Sequence, residues 1–426
     1  MPDKDIQAAD RMTYRKTHPW ITFHIDLTAA DPRLWIDLGE AQSKGEHIAG
    51  VPLAPKIAAD MHKIFLARGA LATTAIEGNT LSEAEVRQFL DGELKLPPSR
   101  RYLGREIENI VEACNDLAAS VQRDGTAPCD PDTIKWMNRR VLEGLELGED
   151  VVPGEIRRHS VEVGRYRGAP ASECEYLLEE LCDWLNGPTF KAAEGQRIIF
   201  AIIKAIVAHL YIAWIHPFGD GNGRTARLLE YKILLMSGLP TPACHLLSNH
   251  YNKTKSEYYR QLDAASRSGG NILPFIRYAL EGLVDGLREQ IAMIKSHQMD
   301  VAWINYVHDQ FSGLDGPAEV RRRCLVLDLG ETRKPVALSK IPNLTPRLAA
   351  AYAGRTSRTL FRDVNELVDR NLITRSRDGL VANRDVILAF LPWRNREKAI
   401  PAARSRETAL ATPPRAARSE RSTQLA

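Results

Sequence analysis

The run Ile198-Ile-Phe-Ala-Ile-Ile-Lys-Ala-Ile-Val-Ala-His-Leu210 is the strongest constraint on what this chain folds into. It is too long for a strand and suits a buried helix. Pro217 and a glycine cluster stop that helix. A second helix then starts near Asn222, carries Leu228, Leu229, Ile233 and Leu234, and ends at Gly238 with Pro240 beyond. Between the two lies His216-Pro-Phe-Gly-Asp-Gly-Asn-Gly-Arg-Thr-Ala-Arg227. The loop delivers its backbone N–H groups to a helix N-terminus, where unpaired donors and the dipole favour an anion.

The residues of that loop suit phosphate chemistry. Gly221 and Gly223 let the backbone approach a ligand closely, and Arg224 and Arg227 lie three apart on one helix face, able to fork onto phosphate oxygens. Asp220 alone is a poor all-protein metal site, but it suits Mg²⁺, which takes one or two carboxylates and completes its shell with water and phosphates. His216 has the pKa range to accept a proton from a hydroxyl near neutral pH. The implied reaction is attack of a hydroxyl on a phosphorus held by the loop. No Lys-Ser/Thr follows the glycines, a helix and not a strand precedes them, and no HExxH occurs nearby. A P-loop, a dinucleotide fold and metal-only hydrolysis are therefore disfavoured.

Bulk properties fit a soluble protein of two or three domains: 426 residues, 44% hydrophobic and 26% charged. Six cysteines lack CxxC or zinc spacing, and no apolar segment follows Met1, so a reducing, cytoplasmic setting without signal peptide is expected. Residues 198–215 are membrane-like in length, but Lys204 and His209 interrupt them and no membrane role is expected. Residues 393–426 form a basic tail poor in large apolar residues and expected to be disordered. From Arg394 onward, eight Lys/Arg and three Asp/Glu give +5, so the rest of the chain sums to −2 within the net +3.

The loop fits HxFx[DE]GNGRxxR and resembles the signature of the Fic (fido-fold) proteins, most characterised members of which transfer AMP from ATP to a protein hydroxyl. The resemblance implies a mainly α fold: a Fic helical core with a β-hairpin flap, at about 126–290. It makes His216 the catalytic base toward a Ser, Thr or Tyr hydroxyl of a target protein and Asp220 the Mg²⁺ ligand. Gly221, Asn222, Gly223, Arg224 and Arg227 become the ATP-phosphate groups.

Three further segments extend the resemblance. Within a helical region at 31–125, Thr73-Thr-Ala-Ile-Glu77-Gly78 matches [ST]xxxE[GN], the family's inhibitory motif. Thr73 and Glu77, at i and i+4, are expected on one helix face, with Glu77 pairing with Arg227 where the γ-phosphate belongs. Ser82-Glu-Ala-Glu85 reads as a capping box for the next helix. Gly154 to Gly168, with Val161, Glu162, Val163 and Gly164, resembles the flap that docks an extended target segment by strand pairing, although the usual Pro-Pro after it is replaced by Arg167-Gly-Ala-Pro170. Tyr258 would flank the adenine, and Ser266 stands where some relatives carry Asn.

Residues 1–30 read as an irregular arm with Trp20, Phe23 and Ile25 as anchors. At 295–392, after a connecting helix, Leu344–Ile373 gives two helices about a Gly354 turn, with Leu360, Val364 and Leu367 inward and two short strands following. This resembles a winged helix-turn-helix, on which Arg355, Arg358 and Arg362 would touch DNA phosphates; such modules also mediate protein contacts, so DNA and a homodimer both stay open as partners. Besides AMP transfer, two functions stay open: removal of AMP by the same site, with Glu77 orienting water, and a DNA-binding regulator whose core senses nucleotide.

Overall fold

The computed structural model describes residues 13–388, apart from 126 and 165. The basic tail at 393–426, the first twelve residues of the arm, and the side chain of Val163 lie outside the described residues. The chain divides into two compact units, 1–299 and 300–426. Both are mainly helical.

In the first unit, α1 (Thr13–Thr17), α2 (Pro32–Gly50), α3 (Pro55–Ala75), α4 (Glu83–Leu90), α5 (Arg101–Asp124) and α6 (Pro131–Leu142) precede a two-stranded hairpin. Local chemistry sets their starts. Pro32 and Pro131 occupy first helical positions behind Asp31 and Asp130, whose side chains accept from Arg33 and Thr133 backbone N–H groups. Ser82 and Glu85 form the expected reciprocal capping box. The hairpin, β1 (Glu162–Val163) and β2 (Tyr166–Arg167), is antiparallel, pairing Glu162 with Arg167 and Val163 with Tyr166. Then follow α7 (Cys174–Asn186), α8 (Arg197–Ile215), α9 (Asn222–Met236), α10 (Thr241–Cys244), α11 (Leu246–Lys253), α12 (Lys255–Arg267) and α13 (Leu273–Gln310).

The apolar run becomes α8, the core of this unit. Thirteen of its nineteen residues are buried, including His209 and Tyr211, so it is enclosed on all sides. By length and composition α8 is apolar enough to cross a membrane, but here it packs mainly on α9, α7 and α2. Trp20, Phe23 and Ile25 of the arm pack against the same core. The expected break between 290 and 295 is absent: α13 is one uninterrupted helix of 38 residues. Apolar residues recur from Phe275 to Ile294 without a Gly or Pro that ends the turn, and both Gly282 and Gly286 sit inside it.

The second unit contains α14 (Pro317–Glu331), α15 (Pro346–Tyr352), α16 (Ser357–Asp369), and the antiparallel pair β3 (Ile373–Ser376) and β4 (Gly379–Ala382). Leu360, Val364 and Leu367 face its core with Leu325, Leu329 and Leu348. Val336 adds a bridge to Leu380. Buried Asp363 accepts from Arg321 at 2.7 Å and Arg322 at 3.0 Å, and from the Tyr352 hydroxyl at 3.1 Å, so the charge is compensated.

Candidate active site at the end of helix α8

His216 closes α8 in the left-handed conformation, with φ 52° and ψ 58°, and its N–H bonds the Ile212 carbonyl at 2.9 Å. That region is uncommon outside glycine, so the position carries local strain that its surroundings must hold. They hold it from two sides. The buried Arg157 guanidinium donates to the His216 carbonyl at 2.7 Å and the His159 carbonyl at 2.6 Å, and also to the Ala169 carbonyl. Beyond His216, the Asn222 side chain accepts from the Phe218 N–H at 2.9 Å and donates to the Phe218 carbonyl at 2.8 Å. Asn222 therefore staples the loop. Its side chain is used there, and only its backbone N–H is left to the helix N-terminus.

Asn138 on α6 completes the scaffold. It donates to the Asp220 carbonyl at 2.9 Å and accepts from the Gly154 N–H at 2.9 Å, joining the loop to the base of the flap. Gly221, at φ 76°, is the N-cap of α9 in a conformation that suits glycine.

A cavity of about 640 Å³ opens over this loop, lined by His216, Asp220 to Gly223, Glu77 and Tyr259 among others. That volume suits a nucleotide-sized ligand. Burial first, and then the charge of Arg157, lower the His216 pKa to about 4, against opposing pulls from a hydrogen bond to the Ala213 backbone and from Glu77 and Asp220. The imidazole is thus neutral at pH 7 and able to accept a proton.

Glu77 reaches the loop from the turn that closes α3. The helix ends at Ala75, two residues before the expected face would place Glu77, because the Glu77 N–H bonds the Thr74 carbonyl and the Gly78 N–H bonds Ala75 in a tightened last turn. From there Glu77 Oε1 lies 2.6 Å from Arg227 Nη2. The same nitrogen donates to the Thr73 carbonyl at 2.8 Å, so Thr73 contributes its backbone. Burial pushes the Glu77 carboxyl up, but the charge and hydrogen bond of Arg227, with Arg224 and His216, hold it below the usual carboxylate value. A Cβ on Gly223 would collide with Glu77 Oε1, so the absence of a side chain there admits this carboxylate to the start of α9. Glu77 lines the cavity whereas Arg227 does not. Arg227 Nε and Nη1 are buried without a hydrogen-bond partner among the described residues.

The two arginines do not share one task in this state. Arg224 bonds Asp220 at 3.1 Å and Glu106 of α5 at 3.3 Å, while Arg227 serves Glu77. Asp220 is half exposed at the cavity wall. No group of three or more His, Cys, Asp or Glu poised for a metal occurs among the described residues.

Around the cavity, the flap contributes Val161, Gly164 and Tyr166, and the Tyr166 hydroxyl donates to the Trp214 carbonyl at 2.7 Å. Glu162 lies on β1 facing Arg167, 2.7 Å away. Tyr258 touches the cavity but is buried, its hydroxyl 2.8 Å from His209 Nε2 and its ring stacked on Tyr251. Its neighbour Tyr259 is 42% exposed and is the freer aromatic wall. Ser266 is turned away, its Oγ bonded to the Asp263 carbonyl at 2.9 Å. Sequence reasoning missed Glu106, Asn138, Arg157 and Tyr259. Arg157 stood inside the flap motif, and Tyr259 beside the named tyrosine; nothing in the local pattern marks Glu106 or Asn138.

Comparison with known proteins bears on the family and the fold. Residues 128–234 match the model of the Fic/DOC family. The chain is 34% identical over 227 residues to protein adenylyltransferase fic-1 of Caenorhabditis elegans, covering 53% of this chain and 41% of that one. It is 30% identical over 206 residues to protein adenylyltransferase Fic of Culex quinquefasciatus, covering 48% and 38%. The chain thus spans about two-fifths of the length of these relatives. A solved structure of Fic-1 (residues 134–508) from C. elegans superposes with TM-score 0.52 at 26% identity, over 62% of this chain and 73% of that one. A Fic family protein from Desulfovibrio desulfuricans shares the fold, with TM-score 0.50 at 20% identity over 83% and 93%.

Proposed function

We propose that this chain, whose residues 128–234 match the Fic/DOC family model, is a protein adenylyltransferase held at rest by its own Glu77. The observation that carries the reading is the 2.6 Å pair of Glu77 and Arg227 at the N-terminus of α9, with Glu77 lining the same nucleotide-sized cavity as a neutral His216. A carboxylate held there by one arginine nitrogen and a helix dipole occupies an anion position. The relatives are named protein adenylyltransferases, which supports ATP as the substrate and, in this reading, one of its phosphates as that anion.

In this reading His216 takes the proton of a Ser, Thr or Tyr hydroxyl on the target protein, and the hydroxyl oxygen bonds to the α-phosphorus as the bond to the leaving diphosphate breaks. The N–H groups at Asn222 and Gly223, and that of Gly221 once the Asp220 side chain releases it, meet the developing charge. Arg227 holds the terminal phosphate once Glu77 withdraws, and Arg224 turns from Asp220 to the nucleotide. Mg²⁺, which neutralises phosphate charge when bound, suits the half-exposed Asp220 carboxylate, with water and phosphate oxygens completing its shell. The Val161–Gly164 edge orders the target segment, and Tyr259 with Tyr258 walls the base. Six unbridged cysteines accord with a cytoplasmic setting.

Incubation with α-labelled ATP, Mg²⁺ and lysate, followed by mass spectrometry for AMP on hydroxyl side chains, tests the reading. His216→Ala should lose ~10²–10⁴-fold in labelling with nucleotide affinity nearly unchanged. Asp220→Ala should lose both labelling and the Mg²⁺ enhancement of ATP binding, read by calorimetry. Equal labelling by His216→Ala would remove the histidine from its role.

For the second unit we propose a winged helix-turn-helix, from the order α15, α16, β3 and β4. Arg355, Arg358 and Arg362 are all exposed, which favours duplex DNA as partner over a second copy of the chain. A salt-dependent mobility shift that Arg358→Ala with Arg362→Ala weakens would support this. Salt-independent dimerisation without DNA binding would oppose it.

A further inference from the structure

Behind the catalytic face, a separate cavity of about 170 Å³ lies between α8, α9 and the segment entering α6. Its wall holds Lys204 of α8 and Lys232 of α9, together with Cys129, and contains no Asp or Glu. Lys232 is 95% buried. Two cationic side chains on one small wall raise the local positive potential, which favours the charged form of an acid placed beside them. The group on this wall able to carry negative charge is the Cys129 thiol.

Cys129 also has a partner. Its Sγ lies 3.8 Å from the Sγ of Cys182 on α7. The approach is rigidly set, because the Asn186 side chain accepts from the Cys129 N–H at 3.0 Å and donates to the Cys129 carbonyl at 2.7 Å. A disulfide needs about 2.05 Å between the sulfurs, so closure asks for less than 2 Å of movement, within reach of side-chain rotation. The hydrogen bond from Cys182, and then Lys204 and Lys232, hold the Cys129 thiol below its ordinary pKa, although burial opposes them. The other cysteines of this unit differ. Burial pushes the thiols of Cys114 and Cys244 up, and that of Cys174 up to about 11.

We propose that Cys129 and Cys182 are a redox-active dithiol, in which Cys129 is the thiol that a peroxide oxidises and Cys182 the one that closes the disulfide. The Cys129 thiolate sulfur bonds to one oxygen of hydrogen peroxide as the O–O bond breaks, and the departing hydroxide takes a proton and leaves as water. The resulting sulfenic acid is then attacked by Cys182. The S–S bond forms, the S–O bond breaks, and the hydroxide carries off the Cys182 proton as a second water. Two thiols are oxidised and one peroxide is reduced.

The test treats the reduced full chain with equimolar hydrogen peroxide, blocks remaining thiols, and maps the peptides by mass spectrometry. The first product should be a Cys129–Cys182 bridge with loss of two hydrogens, reversed by dithiothreitol. Cys174 shares a tryptic peptide with Cys182, so fragmentation must place the link on Cys182. Cys182→Ser should instead accumulate a Cys129 sulfenic acid that dimedone captures. Lys204→Gln with Lys232→Gln should slow oxidation about tenfold by removing the charges that favour thiolate. Wild-type protein alone decides the matter if a variant fails to fold. Consumption of the peroxide with Cys324 modified first, or with no link between Cys129 and Cys182, would overturn the proposal.

Discussion

His216 combines a strained backbone with a base that burial keeps neutral, and the two are linked through Arg157. This cation fixes the carbonyls of His216, of His159 in the flap and of Ala169 just beyond it, and it also lowers the imidazole pKa. Arg157→Met should cost about 2–4 kcal/mol, because several buried carbonyls lose their donor at once. Chemical denaturation measures the loss, and a change of under half a kcal/mol would mean the contacts are incidental. The imidazole itself should titrate near 4 without ligand. Polyphosphate in the cavity favours the imidazolium, so the value should rise when ATP binds. Proton NMR of the His216 ring across pH 3–8, with and without nucleotide, reads both states. A lower value in the bound state would contradict the placement of phosphate beside this residue.

The elements that carry the site are two helices and the loop between them, and their order is written in local chemistry. The α4 cap is one example: Ser82→Ala should lower stability by about 1 kcal/mol through loss of both halves of the box, as thermal unfolding would show. The apolar run of α8, the Pro217 stop and the start of α9 at Asn222 were legible because each is a backbone rule acting within a few residues. The meeting of Glu77 with Arg227 was legible for another reason, since two motifs of one family were recognised 150 positions apart. What could not be read were contacts without local signal. Asn138 looks like any polar residue of an amphipathic helix, yet it is fully buried against the loop. Asn222 carries the right type at the right place, but its side chain staples Phe218. Tyr258 and Tyr259 are adjacent, and the helix phase of α12 alone decides which faces the core. The uninterrupted α13 hid the division of the chain, because the boundary falls within a helix and not in a linker.

Across the whole molecule, protonation couples site and stability. Burial lowers His216 to about 4 and His245 to about 3. Both groups are neutral in the fold, whereas in the unfolded chain they take up protons near 6.5. The unfolded state therefore binds more protons between pH 6.5 and about 4, and stability must fall as pH falls through that window. Each histidine contributes at most about 1.4 kcal/mol per pH unit. His245→Phe should flatten the slope of denaturant midpoint against pH, and an unchanged slope would show that other groups dominate.

The central claim is that Glu77 occupies the phosphate position of Arg227, and the rate of self-labelling with α-labelled ATP tests it most directly. Glu77→Gly frees Arg227 without touching His216 or the loop. It should raise labelling at least tenfold, which corresponds to ~1.4 kcal/mol of released restraint. Arg227→Ala should not activate, and the double variant should resemble Arg227→Ala, since the clamp is lost with the lock. Equal rates for wild type and Glu77→Gly, over a range of ATP and Mg²⁺ concentrations, would contradict the account.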